Sequence, residues 1–153
     1  MSGPLGNREI AALIPHADAM CLLDQVRSWD RETIVCTASS HREPGNPLAR
    51  DGRLETICGV EYAAQAMAVH GGLTSGSAAR PTTGYLASIR DVVCHVARLD
   101  LLRDDLEITV TLLAGDSAAA MYGFVVRSGN ATVLDGRAAV VIDALSAGRA
   151  GSA

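Results

Sequence analysis

The sequence predicts an α+β domain in which an antiparallel sheet wraps around one long central helix. Three observations predict it: an alanine-rich apolar helix in "CGVEYAAQAMAVHGGL", a β-branched run before it, and several β-rich runs after it, separated by turn residues. The chain has 153 residues, 48% of them apolar, which is enough for one core and short for two, so residues 1–153 read as a single domain.

In chain order, "GNREIAALIPH" predicts a short helix over Arg8 to Leu13, ended because Pro15 disfavours helical backbone at Ile14. "ETIVCTASSH", Glu32 to His41, has the β-branched and apolar content of a strand. "HREPGNPLARDGRLET" carries Pro44, Gly45, Pro47 and Gly52 and reads as a long irregular loop, a kind of segment that usually has a function or is disordered. The central helix is expected from about Thr56 to Val69, with Gly71 and Gly72 supplying a left-handed cap. After the linker "TSGSAARPTT", four strands are expected in "GYLASIRDVVCHVARLD", "DLEITVTLLAGD", "AAAMYGFVVRSG" and "ATVLDGRAAVVIDAL", arranged as a meander with a hairpin at "RSGNATVL". The tail, about 145–153, reads as flexible.

Composition narrows the function classes. The net charge is −4 and the basic residues are scattered, which argues against nucleic acid as a partner. No apolar run approaches the roughly 18 residues of a membrane span, and the first residues do not form a charged start leading into an apolar signal core. The expectation is a cytoplasmic protein. Cys21, Cys36, Cys58 and Cys94 are unevenly spaced, without a CxxC pair, and read as small buried thiols; no metal or cofactor is expected.

Glu61 is the residue that needs explaining. At 100° per residue, Val60, Ala64, Met67 and Ala68 form one side of the central helix and Ala63, Ala66 and His70 extend it, so the helix is expected to be buried nearly all round. Gln65 sits one turn beyond Glu61 on the same face. A carboxylate in the first turn complements the helix dipole, a contribution of about 0.3–1 kcal/mol. Glu55 and Asp51 already offer acidic groups near that end, so a functional carboxylate is an equal alternative. His41 stands where the predicted strand meets the Pro/Gly loop that returns to the helix start. On spacing alone an exposed loop histidine is the commoner arrangement, but imidazole and carboxyl converging on one cleft would suit proton transfer.

The segments "SSHREPGNP" and "GVEYAAQAMA", with "IPHADAMCLLDQV" before them and "GYLASIRDV" after, resemble the hotdog-fold 3-hydroxyacyl-[acyl carrier protein] dehydratases. Within that family they are most similar to the dehydratase-like proteins of aryl polyene pigment biosynthesis. The likeness covers roughly Ile14 to Asp143. It implies that His41 is the catalytic histidine, Glu61 its acidic partner and Gln65 the glutamine one turn later, with Gly59 offering a backbone N–H. The loop His41-Arg42-Glu43-Pro44-Gly45 is one residue longer between His and Pro than the usual dehydratase loop.

The implied reaction is loss of water from a 3-hydroxyacyl thioester carried on the phosphopantetheine arm of an acyl carrier protein. The resemblance also implies a dimer, of two copies or with a paralogous hotdog subunit, in which histidine and carboxylate meet across the interface beside an apolar acyl tunnel. Two rival readings stay open: a thioesterase, and a non-catalytic subunit that stabilises a dehydratase paralogue. His16, His70 and His95 read as structural, as does Asp24 in orienting the opening loop. Arg90 is expected in a salt bridge, with contact to the carrier arm as the alternative.

Overall fold

A computed structural model describes residues 4–14, 21–74, 84–116 and 118–142; Pro15, His16 and the predicted flexible tail lie outside them. Among the described residues seven strands form one antiparallel sheet: β1 (Leu5–Gly6), β2 (Gln25–Trp29), β3 (Thr33–Ala38), β4 (Gly84–Cys94), β5 (Leu106–Gly115), β6 (Ala119–Ser128) and β7 (Ala131–Ile142). Their order across the sheet is β1-β2-β3-β5-β6-β7-β4. Helix α1 (Asn7–Leu13) lies at one end, and helix α2 (Gly59–Thr74) packs on β3, β5 and β6.

Alternation builds the core. Ile34, Cys36 and Ala38 on β3, Leu106, Ile108 and Val110 on β5, and Tyr122, Phe124 and Val126 on β6 are buried on the helix side, where they meet Tyr62, Ala63, Ala66 and Met67 of α2. The alanines keep the helix surface low, so the sheet can curl round it. At the β6–β7 hairpin, Ser128 pairs with Ala131 across Gly129 and Asn130, and Gly129 takes φ +62, the positive value that a tight two-residue turn requires.

Three expectations need correction. Two strands precede β3, not none: β2, "QVRSW", buries only Val26 fully, so it lacks the alternation that would mark it, and β1 is only 2 residues long. The four later strands are not a simple meander, because β4 pairs with β7 and the chain must cross from one sheet edge back to the middle to begin β5. Finally, α2 runs through Gly71 and Gly72 to Thr74, and neither glycine has positive φ. Gly72 serves close packing: an added Cβ would stand 3.3 Å from Leu13 Cδ2, so α1 can lie against α2 there.

His70 is fully buried inside α2. Its Nε2 donates to the Asp30 carbonyl at 2.8 Å, and its Nδ1 accepts from the Tyr122 hydroxyl at 3.1 Å. Burial, the main cause, lowers its pKa below the ordinary 6.5. Because the folded value is depressed, the unfolded chain takes up the proton first as pH falls. The stability associated with neutral His70 is therefore complete above about pH 6.5 and declines as pH drops toward the folded value. The urea midpoint of His70→Gln should vary less between pH 7.5 and 5.5 than that of the wild type. Equal slopes would rule His70 out as a source.

Candidate active site

His41 lies in a short 3-10 turn, Ser40–Arg42, just beyond β3, where the chain leaves the sheet for the Pro/Gly loop. It is 1% exposed, so the loop position does not make it a surface residue. Its Nε2 is 3.2 Å from the Leu102 carbonyl oxygen and 3.1 Å from that of Asp104. Carbonyl oxygens only accept, so Nε2 carries the hydrogen and Nδ1 carries the free lone pair. Nδ1 is buried without a hydrogen-bond partner. Burial, and after it the Arg42 guanidinium, pushes the imidazole pKa below the ordinary value and keeps the ring neutral near pH 7.

The turn is tied to the start of α2. Asn46 Nδ2 donates to the Tyr62 hydroxyl at 3.0 Å and to the Ser40 carbonyl at 2.8 Å. Ser40 Oγ donates to the Leu22 carbonyl at 2.8 Å and stands 2.8 Å from the Tyr62 hydroxyl. An amide donor at one end and a carbonyl acceptor at the other orient the chain of hydroxyls, so Tyr62 donates to Ser40. Burial raises the Tyr62 pKa and keeps it a phenol. The crossover from β4 to β5 fastens the same region from outside: Thr56 N–H donates to Ala97, Leu99 N–H to Leu54, and Leu54 N–H to Asp100 Oδ1 at 2.9 Å. Arg98 bonds the same carboxylate and holds the Asp100 pKa down to about 2.

Within one chain, His41 and Glu61 do not meet. Tyr62 turns inward to the His41 loop, whereas Glu61, one residue and 100° away, is exposed. The expectation of a helix buried all round is thus corrected. Ile57, 49% exposed, with Glu61 and half-buried Ala64 and Ala68, forms an open stripe at helical spacing. β4 is a sheet edge, and its Leu86 and Ile89, 39% and 41% exposed, share the helix side of the sheet with their register partners Val140 and Ala138.

Gln65 is buried, and its Oε1 accepts the Leu22 N–H at 2.8 Å, which pins the segment before β2 onto α2. Gly59 has its N–H turned back to the Thr56 and Ile57 carbonyls. What distinguishes Gly59 is space, because a Cβ would stand 2.6 Å from Leu134 Cδ2.

Asp24 accepts from Ser39 Oγ at 2.7 Å, and most of the opening loop it was expected to orient lies outside the described residues. His95 pairs with Asp135 at 2.8 Å. Arg90 makes no ion pair among the described residues; its neighbour Asp91 is the one that pairs, with Arg137 at 3.3 Å. Of the four thiols only Cys36 is fully buried, and Cys94 is exposed. Sequence reasoning overlooked Ser40, Asn46 and the carbonyls of Leu102 and Asp104, and gave Tyr62 a place near the cleft without its bonds to Ser40 and Asn46. Asn46 within the loop and Tyr62 beside Glu61 were visible as polar groups next to the motif, but carbonyl partners 61 and 63 residues from His41 leave no side-chain signal.

Residues 8–147 match the ApeP-like family, described as ApeP dehydratase. The chain belongs to that family. No curated relative matches. Among solved structures, this ApeP-like chain is similar to the dehydratase heterocomplex ApeI:P from Xenorhabdus doucetiae, at 23% identity and TM-score 0.79, over 90% of this chain and 92% of the other. It is also similar to a mutant (Q49A) of thioesterase PA1618 from Pseudomonas aeruginosa, at 9% identity and TM-score 0.62, covering 90% and 94% of the two chains. Thioesterase HI1161 from Haemophilus influenzae matches at 12% identity and TM-score 0.62, over 90% of each chain. At such identities these structures establish the hotdog fold of this ApeP-like chain, and the dehydratase assignment rests on the family match. No helix among the described residues is long and apolar enough to cross a membrane.

Proposed function

We propose that this ApeP-like protein dehydrates a 3-hydroxyacyl thioester presented by an acyl carrier protein in aryl polyene biosynthesis, in the cytoplasm, through sites built from two hotdog chains. The observation that carries the two-chain reading is the outward Glu61. It is exposed on α2 in line with exposed Ile57 and half-buried Ala64 and Ala68, and β4 ends the sheet with Leu86 and Ile89 exposed, while His41 is buried in the same chain. A second hotdog subunit on this surface would cover Ile57, Leu86 and Ile89 and bring its own histidine turn toward Glu61. The ApeI:P heterocomplex supports a paralogous hotdog subunit as that partner.

In the reaction, Nδ1 of the histidine takes the C2 proton and the electron pair passes to the thioester oxygen. Glu61 then gives a proton to the departing C3 hydroxyl, the C2–C3 double bond forms, and water leaves. Gln65 acts by holding the segment before β2 against α2, and Gly59 by letting that helix sit close to Leu134. The closure of Nδ1 from solvent in the single chain also favours a second reading, in which this chain supplies Glu61 and a fold-stabilising surface while its paralogue supplies the working histidine.

The test is conversion of a short 3-hydroxyacyl thioester by the purified chain, alone and mixed with a paralogous hotdog subunit, following enoyl absorbance and free thiol together. Enoyl product without thiol is expected. Thiol release would replace the dehydratase by a thioesterase.

A further inference from the structure

Four consecutive residues, Leu102 to Asp105, each present an acceptor to the two adjacent side chains of the 3-10 turn. The Leu102 and Asp104 carbonyls receive the His41 Nε2 hydrogen. The Arg103 carbonyl receives Arg42 Nη1 at 2.6 Å, and Asp105 Oδ1 receives Arg42 Nη2 at 2.6 Å. The strap is itself braced, because Ser128 Oγ donates to the Asp104 carbonyl at 3.1 Å, and an added Cβ on Gly129 would stand 2.7 Å from Asp104 Oδ2. Such interleaving is more than a surface ion pair, which would need only the Asp105 contact.

We propose that Arg42 is a positioning residue: with the acceptors of residues 102–105 it clasps the turn carrying His41 and holds the imidazole in its Nε2–H form, leaving Nδ1 to take the proton. The planar guanidinium bonds two alternate residues of the strap at once, Arg103 and Asp105, which fixes the strap's register against the turn. Without it the strap can slide, and a single imidazole hydrogen shared between two carbonyls no longer selects one nitrogen. The charged groups acting on His41 are Arg42 from its own turn and Asp105 from the strap, and they oppose each other. Removing Arg42 takes away a positive neighbour and admits water, so both changes raise the histidine pKa.

The proposal rests on His41 being the base, so the experiment reads the imidazole directly as well as the rate. Ring-nitrogen NMR of 15N-histidine protein, with His41→Ala assigning the signal, should show the Nε2–H tautomer in the wild type and a titration midpoint below 6.5, the ordinary value. Arg42→Ala should give mixed tautomers, a higher midpoint, and kcat lowered by about ten- to a hundredfold with KM little changed. Arg42→Lys, which keeps the charge but loses the fork, should restore the midpoint more fully than the tautomer. The Arg42–Asp105 pair is partly exposed, so losing it leaves the fold intact, as circular dichroism would verify. An unchanged tautomer and midpoint in Arg42→Ala would overturn the proposal. An altered ring with no rate effect would keep the clasp and reject His41 as the base.

Discussion

His41→Ala should lower dehydration by about 10²–10⁴-fold in an assembly made only of this chain, the range that a positioned general base contributes. Glu61→Gln should do the same, because an amide cannot supply the proton that the leaving hydroxyl needs. The informative step is mixing. In a two-fold assembly of the two variants, one of the two sites receives an intact His41 from one chain and an intact Glu61 from the other, so random pairing should restore about a quarter of wild-type activity. A site built within one chain predicts no recovery, but in one chain the inward His41 turn and the outward Glu61 do not meet. With a paralogous subunit the pattern changes. Each variant silences one of two composite sites, and only the double variant removes both. Wild-type rates for His41→Ala in assemblies of this chain alone would sink the reading of His41 as base.

How much of this was legible in the sequence depends on how local each signal is. The long helix, β3 and the four later strands follow from periodicity and turn residues, and the hairpin from the "SGNA" connection, because those signals lie inside each element. The order of β4 beside β7 was not legible: strand pairing is a non-local choice, and nothing in "GYLASIRDVVC" says which neighbour it takes. The extent of α2 was misread because a glycine that permits close packing looks the same as one that caps a helix, and only the contact of Gly72 with Leu13 separates the two. At the site, the motif located His41 and Glu61 correctly as a turn residue and a first-turn carboxylate. It could not show that they face apart, since that depends on the Tyr62 hydroxyl joining Ser40 and Asn46.

Phe124→Ala should be the costliest single truncation in the core, at about 3–5 kcal/mol. The chain has only one Phe, and its ring lies 2% exposed on β6, the strand flanked by β5 and β7. The cost of such a cavity depends on how far the walls can move in. Here they are stiff: Phe124 sits in register with Val110 on one side and Gly136 on the other, so β6 is held by ladders along both edges. Gly136 has no side chain to swing inward, and its bare Cα is what makes room for the ring, since a Cβ there would stand 2.9 Å from Phe124 Cζ and from Val92 Cγ2. The facing helix offers short alanines at Ala63 and Ala66, which cannot extend to fill space. Val125→Ala, one residue along on the opposite, half-buried face, should cost about 1 kcal/mol. Urea unfolding of the two variants checks the contrast, and a loss of under about 2 kcal/mol for Phe124→Ala would mean that the sheet closes over the cavity.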